Sequence, residues 1–222
     1  MNLKAETTSI PLVIWGASGH ARVVADIVRL KGNFNIVGFI DSMNPDRKGS
    51  VFYGATVLGG QEQLKSLRCE NVRHFFIGIG DCRTRLDLAA ISKQFGFELV
   101  TLVHPSATLA QDVALGLGTV IMAGAVINPG SSIGDNVIIN TSASVDHDCF
   151  VENGAHIGPG AHLGGDVSVG EGSWVGIGAI IKDKIRIGQG AVIGAGAVVL
   201  KDIPDRMVAF GVPAQVIRKV ER

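Results

Sequence analysis

One histidine of this sequence stands between two acidic residues, in the run Val145-Asp146-His147-Asp148. Asp148 could accept a hydrogen bond from one ring nitrogen of His147, fix the tautomer and raise the basicity of the other nitrogen. Because histidine titrates near neutral pH, such a pair suits a general base that deprotonates an amine or hydroxyl during acyl transfer. A solvated surface histidine is the alternative interpretation.

Gly165 lies 18 residues after His147, a spacing that recurs throughout the second half of the chain. The Gly164-Gly165 pair carries no side chain that would cover its backbone. A backbone N–H beside a base could stabilise the oxyanion that forms when a thioester is attacked. An ordinary corner glycine is the alternative.

Two further histidines each precede an aliphatic residue, so we expect both to point outward from a face. His156 lies nine residues after His147, which is half of an 18-residue coil. The two side chains would therefore lie on opposite sides of one prism and act together only across a contact between subunits. This offset predicts an oligomer with active sites between subunits. For His162 an outward or interface position is the simpler interpretation.

These residues must be positioned by a repeat with a period of six. Every sixth residue from Leu109 to Val199 is aliphatic, sixteen in all, and two positions before each stands a residue of Val or Ile size or smaller. The pattern predicts a hexapeptide solenoid in which three hexads form one triangular coil. The aliphatic side chains fill its interior, and Gly, Asn and Asp form its corners. Handedness does not follow from the pattern.

The residues before this repeat alternate between strand and helix. Apolar runs at residues 12–15, 36–40, 74–80 and 98–103 predict strands. Amphipathic segments, of which residues 84–94 are one, predict the helices. This alternation is typical of a parallel sheet with crossover helices. We therefore expect a Rossmann-like α/β domain over residues 1–104 and a β-helix domain with a C-terminal tail over residues 105–222.

A glycine-containing turn, Gly16-Ala17-Ser18-Gly19-His20, follows the first predicted strand and opens a helix. Backbone N–H groups at a helix start favour an anion, although the turn lacks the GxGxxG dinucleotide pattern. Asp41 ends the second strand, where a Rossmann fold places its ribose carboxylate. The segment predicts a nucleotide site, not one for NAD. A plain helix-start role is the alternative for His20.

The composition argues against several classes of protein. Twenty basic residues balance twenty acidic ones, which does not favour a nucleic-acid binder. Three widely spaced cysteines without a CxxC pair indicate neither a disulfide framework nor a cysteine zinc site. No apolar run approaches the ~18 residues of a membrane span. We expect a cytoplasmic protein with no membrane partner.

The sequence resembles the family of sialic-acid O-acetyltransferases and nucleotide-amino-sugar N-acetyltransferases, which includes bacillosamine- and perosamine-type enzymes. The resemblance rests on the hexads and on six shorter motifs. These are residues 16–20, Ile79-Gly80 followed by Arg85, His104-Pro105-Ser106-Ala107, Asn140-Thr141-Ser142, His147-Asp148-Cys149 and Gly211-Val212-Pro213-Ala214. It implies a Rossmann-like domain followed by a left-handed parallel β-helix, acetyl-CoA as acyl donor, and a homotrimer with inter-subunit active sites.

The resemblance also implies roles for individual residues. His147 is the base and Asp148 its partner, with Asp where other members have Glu, and Gly165 is placed at the oxyanion. The residues implied in acetyl-CoA binding are His156, Gly165, Ile177, Gly178 and Ala195. The residues implied in binding a nucleotide-linked sugar are Ser18, Gly19, His20, Asp41, Ser42 and Gly80. Ser42 stands where some relatives have a second acid, which leaves the nucleotide base open.

We therefore expect an acetyl-CoA-dependent N-acetyltransferase that acts on the amine of a nucleotide-linked 4-amino-6-deoxy sugar and binds no metal. O-acetylation of a sialic acid or similar sugar would use the same groups. A zinc lyase of the γ-class carbonic anhydrase kind would need three histidines, which His147, His156 and His162 supply without the expected spacing. A non-catalytic binding scaffold would leave the His147-Asp148 pair unexplained.

Overall fold

The computed structural model describes residues 9–221, which form two compact units. The first unit comprises the chain up to Ile79 together with Ile91–Leu99, and the second comprises Gly80–Ala90 together with the chain from Val100 onward. Among residues 9–221, no helix is both long enough and apolar enough to cross a membrane.

The first unit is built on a six-stranded sheet. Its strands are β1 (Ile10–Trp15), β2 (Phe34–Ile40), β3 (Val51–Phe52), β4 (Ala55–Gly59), β5 (His74–Ile77) and β6 (Glu98–Leu99). They lie in the order β3-β4-β2-β1-β5-β6, and all are parallel except β3, which is antiparallel to β4. The helices found within residues 9–221 are α1 (Gly19–Lys31), α2 (Leu64–Cys69) and α3 (Cys82–Gln94), with 3₁₀ turns at Pro45–Arg47 and Gln61–Gln63. The predicted parallel α/β sheet is confirmed.

The end of β1 is shaped by a close approach between two backbones. Gly16 has a φ of 129°, and a Cβ there would lie 2.6 Å from the carbonyl oxygen of Gly78. Only glycine meets both conditions. Helix α1 then begins after Ser18 and ends at Gly32, whose left-handed φ of 70° lets its N–H bond the carbonyl of Val28.

The second unit contains two-residue strands at six-residue intervals, which form three parallel faces. Face 1 consists of β7 (Leu102–Val103), β10 (Val120–Ile121), β13 (Ile138–Ile139), β16 (His156–Ile157), β19 (Trp174–Val175) and β22 (Val192–Ile193), and it ends in β24 (Met207–Gly211) and β25 (Ala214–Lys219). Face 2 consists of β8 (Thr108–Leu109), β11 (Val126–Ile127), β14 (Ser144–Val145), β17 (His162–Leu163), β20 (Ile180–Ile181) and β23 (Val198–Val199). Face 3 consists of β9 (Ala114–Leu115), β12 (Ser132–Ile133), β15 (Phe150–Val151), β18 (Ser168–Val169) and β21 (Arg186–Ile187).

Neighbouring coils stack with an offset of 18 residues. Ile138 pairs with His156, and Ile139 pairs with Ile157. The second residue of each strand points inward, so Ile139, Ile157 and Val175 are fully buried in one column. We name the turns between faces the 1–2, 2–3 and 3–1 corners. The predicted hexapeptide coil is confirmed.

The strand predicted over residues 98–103 is wrong, because this segment divides between the two units. Strand β6 pairs with β5 in the first sheet, whereas β7 pairs with β10 in face 1. The N–H of Leu102 donates to Thr119 O, 17 residues later, just as Val120 donates to Val137 O and Ile138 to Ala155 O in the next coils. The repeat thus begins one hexad before Leu109, and the run of apolar residues hides the change of sheet.

Candidate active site

His147 lies at the 2–3 corner, between β14 and β15. Its Nδ1 is 2.8 Å from Oδ2 of Asp148, and both side chains are exposed. A carboxylate can only accept, so Nδ1 carries the proton and Nε2 is the nitrogen available as a base. The hydrogen bond to Asp148 raises the pKa of His147 above its ordinary value, and the negative charges of Asp146, Asp148 and Asp166 act in the same direction.

The two aspartates beside His147 are held by the backbone of the coil. Asp148 has a left-handed φ of 57° and donates its N–H to Pro129 O at 3.0 Å. Asp146 accepts hydrogen bonds from Asn128 Nδ2 and from the N–H of His147, each at 2.8 Å. The bond from Asn128 is the largest of the effects that lower the pKa of Asp146, which keeps it ionised beside the histidine.

Gly165 is stacked beneath the imidazole of His147. A Cβ at position 165 would lie 2.6 Å from Nε2 of His147, so a side chain there would displace the ring. The backbone is fixed from both sides, since Asp166 N donates to His147 O and Lys184 N donates to Gly165 O, each at 2.9 Å. The structure buries Gly165 under the ring, whereas the sequence suggested an uncovered backbone. Its N–H has no acceptor among residues 9–221.

A groove of about 660 Å³ runs along this corner and the adjoining part of face 2. His147, Gly165 and His162 line it, together with Lys182 and Lys184. His162 Nδ1 is 2.7 Å from the hydroxyl of Ser144. The structure therefore brings three of the sequence candidates to one surface, which also carries two cationic side chains.

His156 lies on face 1, away from this groove, and it is only 6% exposed. Its ring stacks on Trp174 at 5.5 Å, Nε2 is 3.0 Å from Asn140 Nδ2, and Nδ1 is 3.2 Å from Gly80 O. Burial, assisted by the charge of Arg85, lowers the pKa of His156 to about 4. The ring is therefore neutral at neutral pH, with its proton on Nδ1, because the Gly80 carbonyl can only accept.

The side chain of His156 points out of the prism as expected but is covered by residues 80–90. Arg85, 1% exposed, holds this segment on the β-helix. It donates from Nε to Asn136 O (2.7 Å), from Nη2 to Gly154 O (2.7 Å) and from Nη1 to Gly80 O (2.8 Å). The positioning role of Arg85 was missed from the sequence. The available signal was an arginine among the apolar residues of a helix.

The 1–2 corner presents backbone donors to solvent. Ile177, Gly178 and Ala195 are all exposed there. The N–H of Gly178 donates to Pro159 O at 2.9 Å, whereas the N–H groups of Ile177 and Ala195 have no acceptor within the described part of the chain. The corner can therefore bind an elongated ligand that carries amide carbonyls.

The candidates for nucleotide binding lie mainly in the first unit. Ser18 and Gly19 are exposed at the start of α1, and His20 is half-buried. Gly80 belongs to the second unit, where its carbonyl accepts from Arg85. Ser42 borders a cavity of about 330 Å³ at the ends of β2 and β4.

Asp41 is buried and organises its own loop. Oδ1 accepts the N–H groups of Met43 and Asn44 at 3.1 Å each, and Oδ2 accepts from Arg47 at 3.0 Å. Arg47 also donates to Ala17 O at 2.7 Å. This carboxylate therefore connects the loop after β2 to the turn after β1, and it borders the same cavity as Ser42.

The three histidines considered for a metal site are not grouped. His147 is at the 2–3 corner, His156 on face 1 and His162 on face 2. Among residues 9–221, no group of three His, Cys, Asp or Glu side chains is arranged to hold a metal ion.

Two sequence-family profiles match this chain. The PglD N-terminal domain matches residues 11–91, and the bacterial transferase hexapeptide (six repeats) matches residues 166–201. UDP-N-acetylbacillosamine N-acetyltransferase from Bacillus subtilis (strain 168) is 33% identical over 112 residues, which are 50% of this chain and 51% of that enzyme. The chain thus aligns with about half the length of this curated relative.

Solved structures extend the similarity to nearly the whole chain. Perosamine N-acetyltransferase from Caulobacter crescentus, in complex with CoA and GDP-perosamine, is 40% identical with a TM-score of 0.88, and the match covers 93% of this chain and 97% of that one. The acetyltransferase domain of PglB from Neisseria gonorrhoeae, in complex with acetyl coenzyme A, is 39% identical with a TM-score of 0.88, covering 94% and 100%.

The fold and these relatives define an acyltransferase with a Rossmann-like N-terminal domain and a left-handed parallel β-helix. The chain belongs to the family of hexapeptide-repeat N-acetyltransferases that carry a PglD-type N-terminal domain. The solved relatives hold CoA or acetyl coenzyme A, as expected for this family. The expected family and fold class are confirmed.

Proposed function

We propose that this protein transfers an acetyl group from acetyl-CoA to the amine of a nucleotide-linked 4-amino-6-deoxy sugar. Relatives named for bacillosamine and perosamine N-acetylation support this substrate class. The observation that carries the proposal is the stack at the 2–3 corner, where Asp148 bonds Nδ1 of His147 and Gly165 lies beneath Nε2.

In the proposed reaction, Nε2 of His147 takes a proton from the acceptor amine as the nitrogen attacks the thioester carbon. Asp148 keeps the proton on Nδ1 and stabilises the imidazolium that forms. The N–H of Gly165 donates to the thioester oxygen as it becomes an oxyanion. The intermediate then collapses, the C–S bond breaks and coenzyme A leaves as the thiol after protonation.

We propose that the coenzyme lies along the 1–2 corner of a β-helix. The N–H groups of Ile177 and Ala195 suit the amide carbonyls of a pantetheine arm, and Gly178 leaves the backbone between them accessible. His156 adjoins this corner and forms a flat, neutral wall with Trp174. Lys182 and Lys184 are the cationic candidates for coenzyme phosphates.

We propose a homotrimer whose active sites lie between subunits, since one chain keeps the His147 corner and the coenzyme corner apart. Exposed apolar side chains on all three faces support such contacts, namely Phe150, Trp174 and Ile180. If inactive His147→Ala and His156→Ala proteins are unfolded and reassembled together, mixed trimers should regain activity. Folded mixed trimers without activity would contradict a site shared by these two residues.

We propose that the first unit binds the nucleotide through Ser18, Gly19, His20, Asp41 and Ser42. A helix start with exposed N–H groups supports a phosphate contact. Asp41→Ala should damage acceptor kinetics while the Kd for acetyl-CoA stays unchanged. Unaltered acceptor kinetics would show that Asp41 only orders its loop.

We also propose a cytoplasmic location. The three cysteines are free thiols, which fits a reducing compartment.

A panel assay tests the proposed reaction. Acetyl-CoA is incubated with UDP-, GDP- and dTDP-linked 4-amino-6-deoxy sugars and with free sialic acid, and thiol release is followed. We expect turnover with at least one nucleotide-linked amino sugar. Turnover with sialic acid alone would replace N-acetylation by O-acetylation.

A further inference from the structure

Five inward side chains of the β-helix make the same hydrogen bond, which we call a brace. Each is a Thr, Ser or Cys that donates to the carbonyl oxygen 15 residues further along the chain. The braces are Thr101 to Gly116 (2.7 Å), Thr119 to Gly134 (2.7 Å), Ser131 to Asp146 (2.7 Å), Cys149 to Gly164 (3.2 Å) and Ser173 to Gly188 (2.6 Å). A brace fixes the plane of the peptide whose carbonyl it bonds.

The N–H of a braced peptide belongs to the following residue, and in four of the five it donates to a side-chain oxygen. These bonds measure 2.8–2.9 Å and run from Leu117 to Asp135, from Asp135 to Asn153, from His147 to Asp146 and from Gln189 to Asp205. The fifth is Gly165, whose N–H has no acceptor among residues 9–221 and which lines the groove beside His147. A peptide that accepts at its carbonyl is polarised, so its N–H becomes a stronger donor.

The coil does not need a brace at the 2–3 corner. The position of Cys149 recurs every 18 residues as Ser131, Val167 and Ile185, and the last two have no side-chain donor. Braces stand there only beneath the peptides that carry the N–H groups of His147 and Gly165. Burial raises the pKa of the Cys149 thiol, which therefore stays protonated and remains a donor at neutral pH.

We propose that Cys149 is a positioning residue for acetyl transfer, whose thiol orients and polarises the Gly164–Gly165 peptide so that the Gly165 N–H stabilises the oxyanion. This inference rests on the proposed function, in which that oxyanion forms. Two neighbouring braces then serve different groups at the 2–3 corner. Ser131 braces the Asp146–His147 peptide, which carries the base, and Cys149 braces the Gly164–Gly165 peptide, which carries the oxyanion donor.

The test replaces the thiol by a group that the same column already accepts. Cys149→Val should lower kcat about fivefold to twentyfold, because the N–H is misoriented but not removed. The Kd for acetyl-CoA should change less than about twofold, and the pH profile should keep its shape, since His147 is untouched. Cys149→Ser, which reproduces the brace of Ser131, should recover most of kcat.

Thr119→Val is the matched control, because it removes an equivalent brace at the 3–1 corner. It should lose thermal stability as Cys149→Val does, while kcat stays at the wild-type value. Should the valine variant fold poorly, Cys149→Ala, which removes the donor without adding volume, takes its place.

Equal kcat for wild type and Cys149→Val, or equal losses of kcat in Cys149→Val and Thr119→Val, would overturn the role of Cys149 alone. Failure of the wild type to acetylate any nucleotide-linked amino sugar would instead overturn the proposed function.

Discussion

The 3–1 and 2–3 corners of the β-helix are made from the same hexads but complete their backbone hydrogen bonds differently. At the 3–1 corner, which we call the closed corner, Asp135, Asn153 and Asp205 cap N–H groups of neighbouring coils. At the 2–3 corner, which we call the open corner, Gly165 stacks on His147 with the same offset of 18 residues. Its N–H nevertheless has no acceptor among residues 9–221. Because the repeat is common to both corners, we expect activity to depend on which corner groups remain available to bind a substrate.

His147→Ala should produce the largest change, because it removes the base from the open corner. We expect kcat to fall about 10²–10⁴-fold. The oligomer and the Kd for acetyl-CoA should be unaffected, since His147 is exposed and outside the core. Steady-state kinetics and equilibrium binding measure both effects. A variant that retains more than about a third of wild-type kcat would remove His147 as the base.

Gly165→Ala should lower kcat by about 10²-fold, since its Cβ would meet Nε2 of His147 at 2.6 Å and move both base and oxyanion donor. Gly170→Ala is the control. Its Cβ would meet the backbone N of Gln189, also at 2.6 Å, in the closed corner. This control should lose stability but retain kcat in the folded fraction. Similar kcat losses in both variants would indicate a general packing effect.

Asp148→Asn should change the pH dependence more than the maximal rate. The base acts only when Nε2 is unprotonated, so kcat/KM falls as pH drops through the pKa of His147. The Asp148 carboxylate raises that pKa, hence its replacement by an amide should lower the pKa and move the acid limb to lower pH. The amide oxygen still accepts from Nδ1, so we expect kcat to fall less than about tenfold. An unmoved acid limb would contradict the role of Asp148.

Asn153→Ala should have the smallest effect on activity, because it opens the closed corner by removing the cap on the Asp135 N–H. We expect a loss of about 1 kcal/mol in the free energy of unfolding, measured by denaturant titration. The kcat should remain within about twofold of wild type. A kcat loss comparable to that of Asp148→Asn would show that the two corners are not functionally distinct.

The β-helix and its stacked pair could be predicted from the sequence because both depend on local periodicity. A period of six places Leu, Ile or Val inside each coil, and a spacing of 18 places Gly165 against His147 whatever the rest of the chain does. The sequence also contains the column of residues at the position of Cys149. Ser131 and Cys149 have a side-chain donor for a brace, whereas Val167 and Ile185 have none. This column becomes informative only when the carbonyl partners are known.

Features that depend on distant segments could not be predicted in this way. His156 occupies an outward position by periodicity, yet the segment with Gly80 and Arg85, more than 70 residues earlier, covers it. This burial and the charge of Arg85 lower the pKa of His156. Likewise, the carboxylate of Asp41 lies where a ribose contact was expected, but Arg47 and the backbone of its own loop engage it. The hydrophobic pattern of the sequence does not indicate which residues contact His156 or Asp41.

The stacking of each residue on the residue 18 positions later determines which changes of chain length the β-helix can accept. Inserting one hexad between His147 and Gly165 would preserve the inward aliphatic side chains, and the core would still form. It would nevertheless rotate everything that follows by one face, so Gly165 would leave the corner of His147. Insertions or deletions of hexads outside this interval keep the pair in register. Recombination between hexapeptide genes is thus limited by the His147–Gly165 pair more strictly than by the fold.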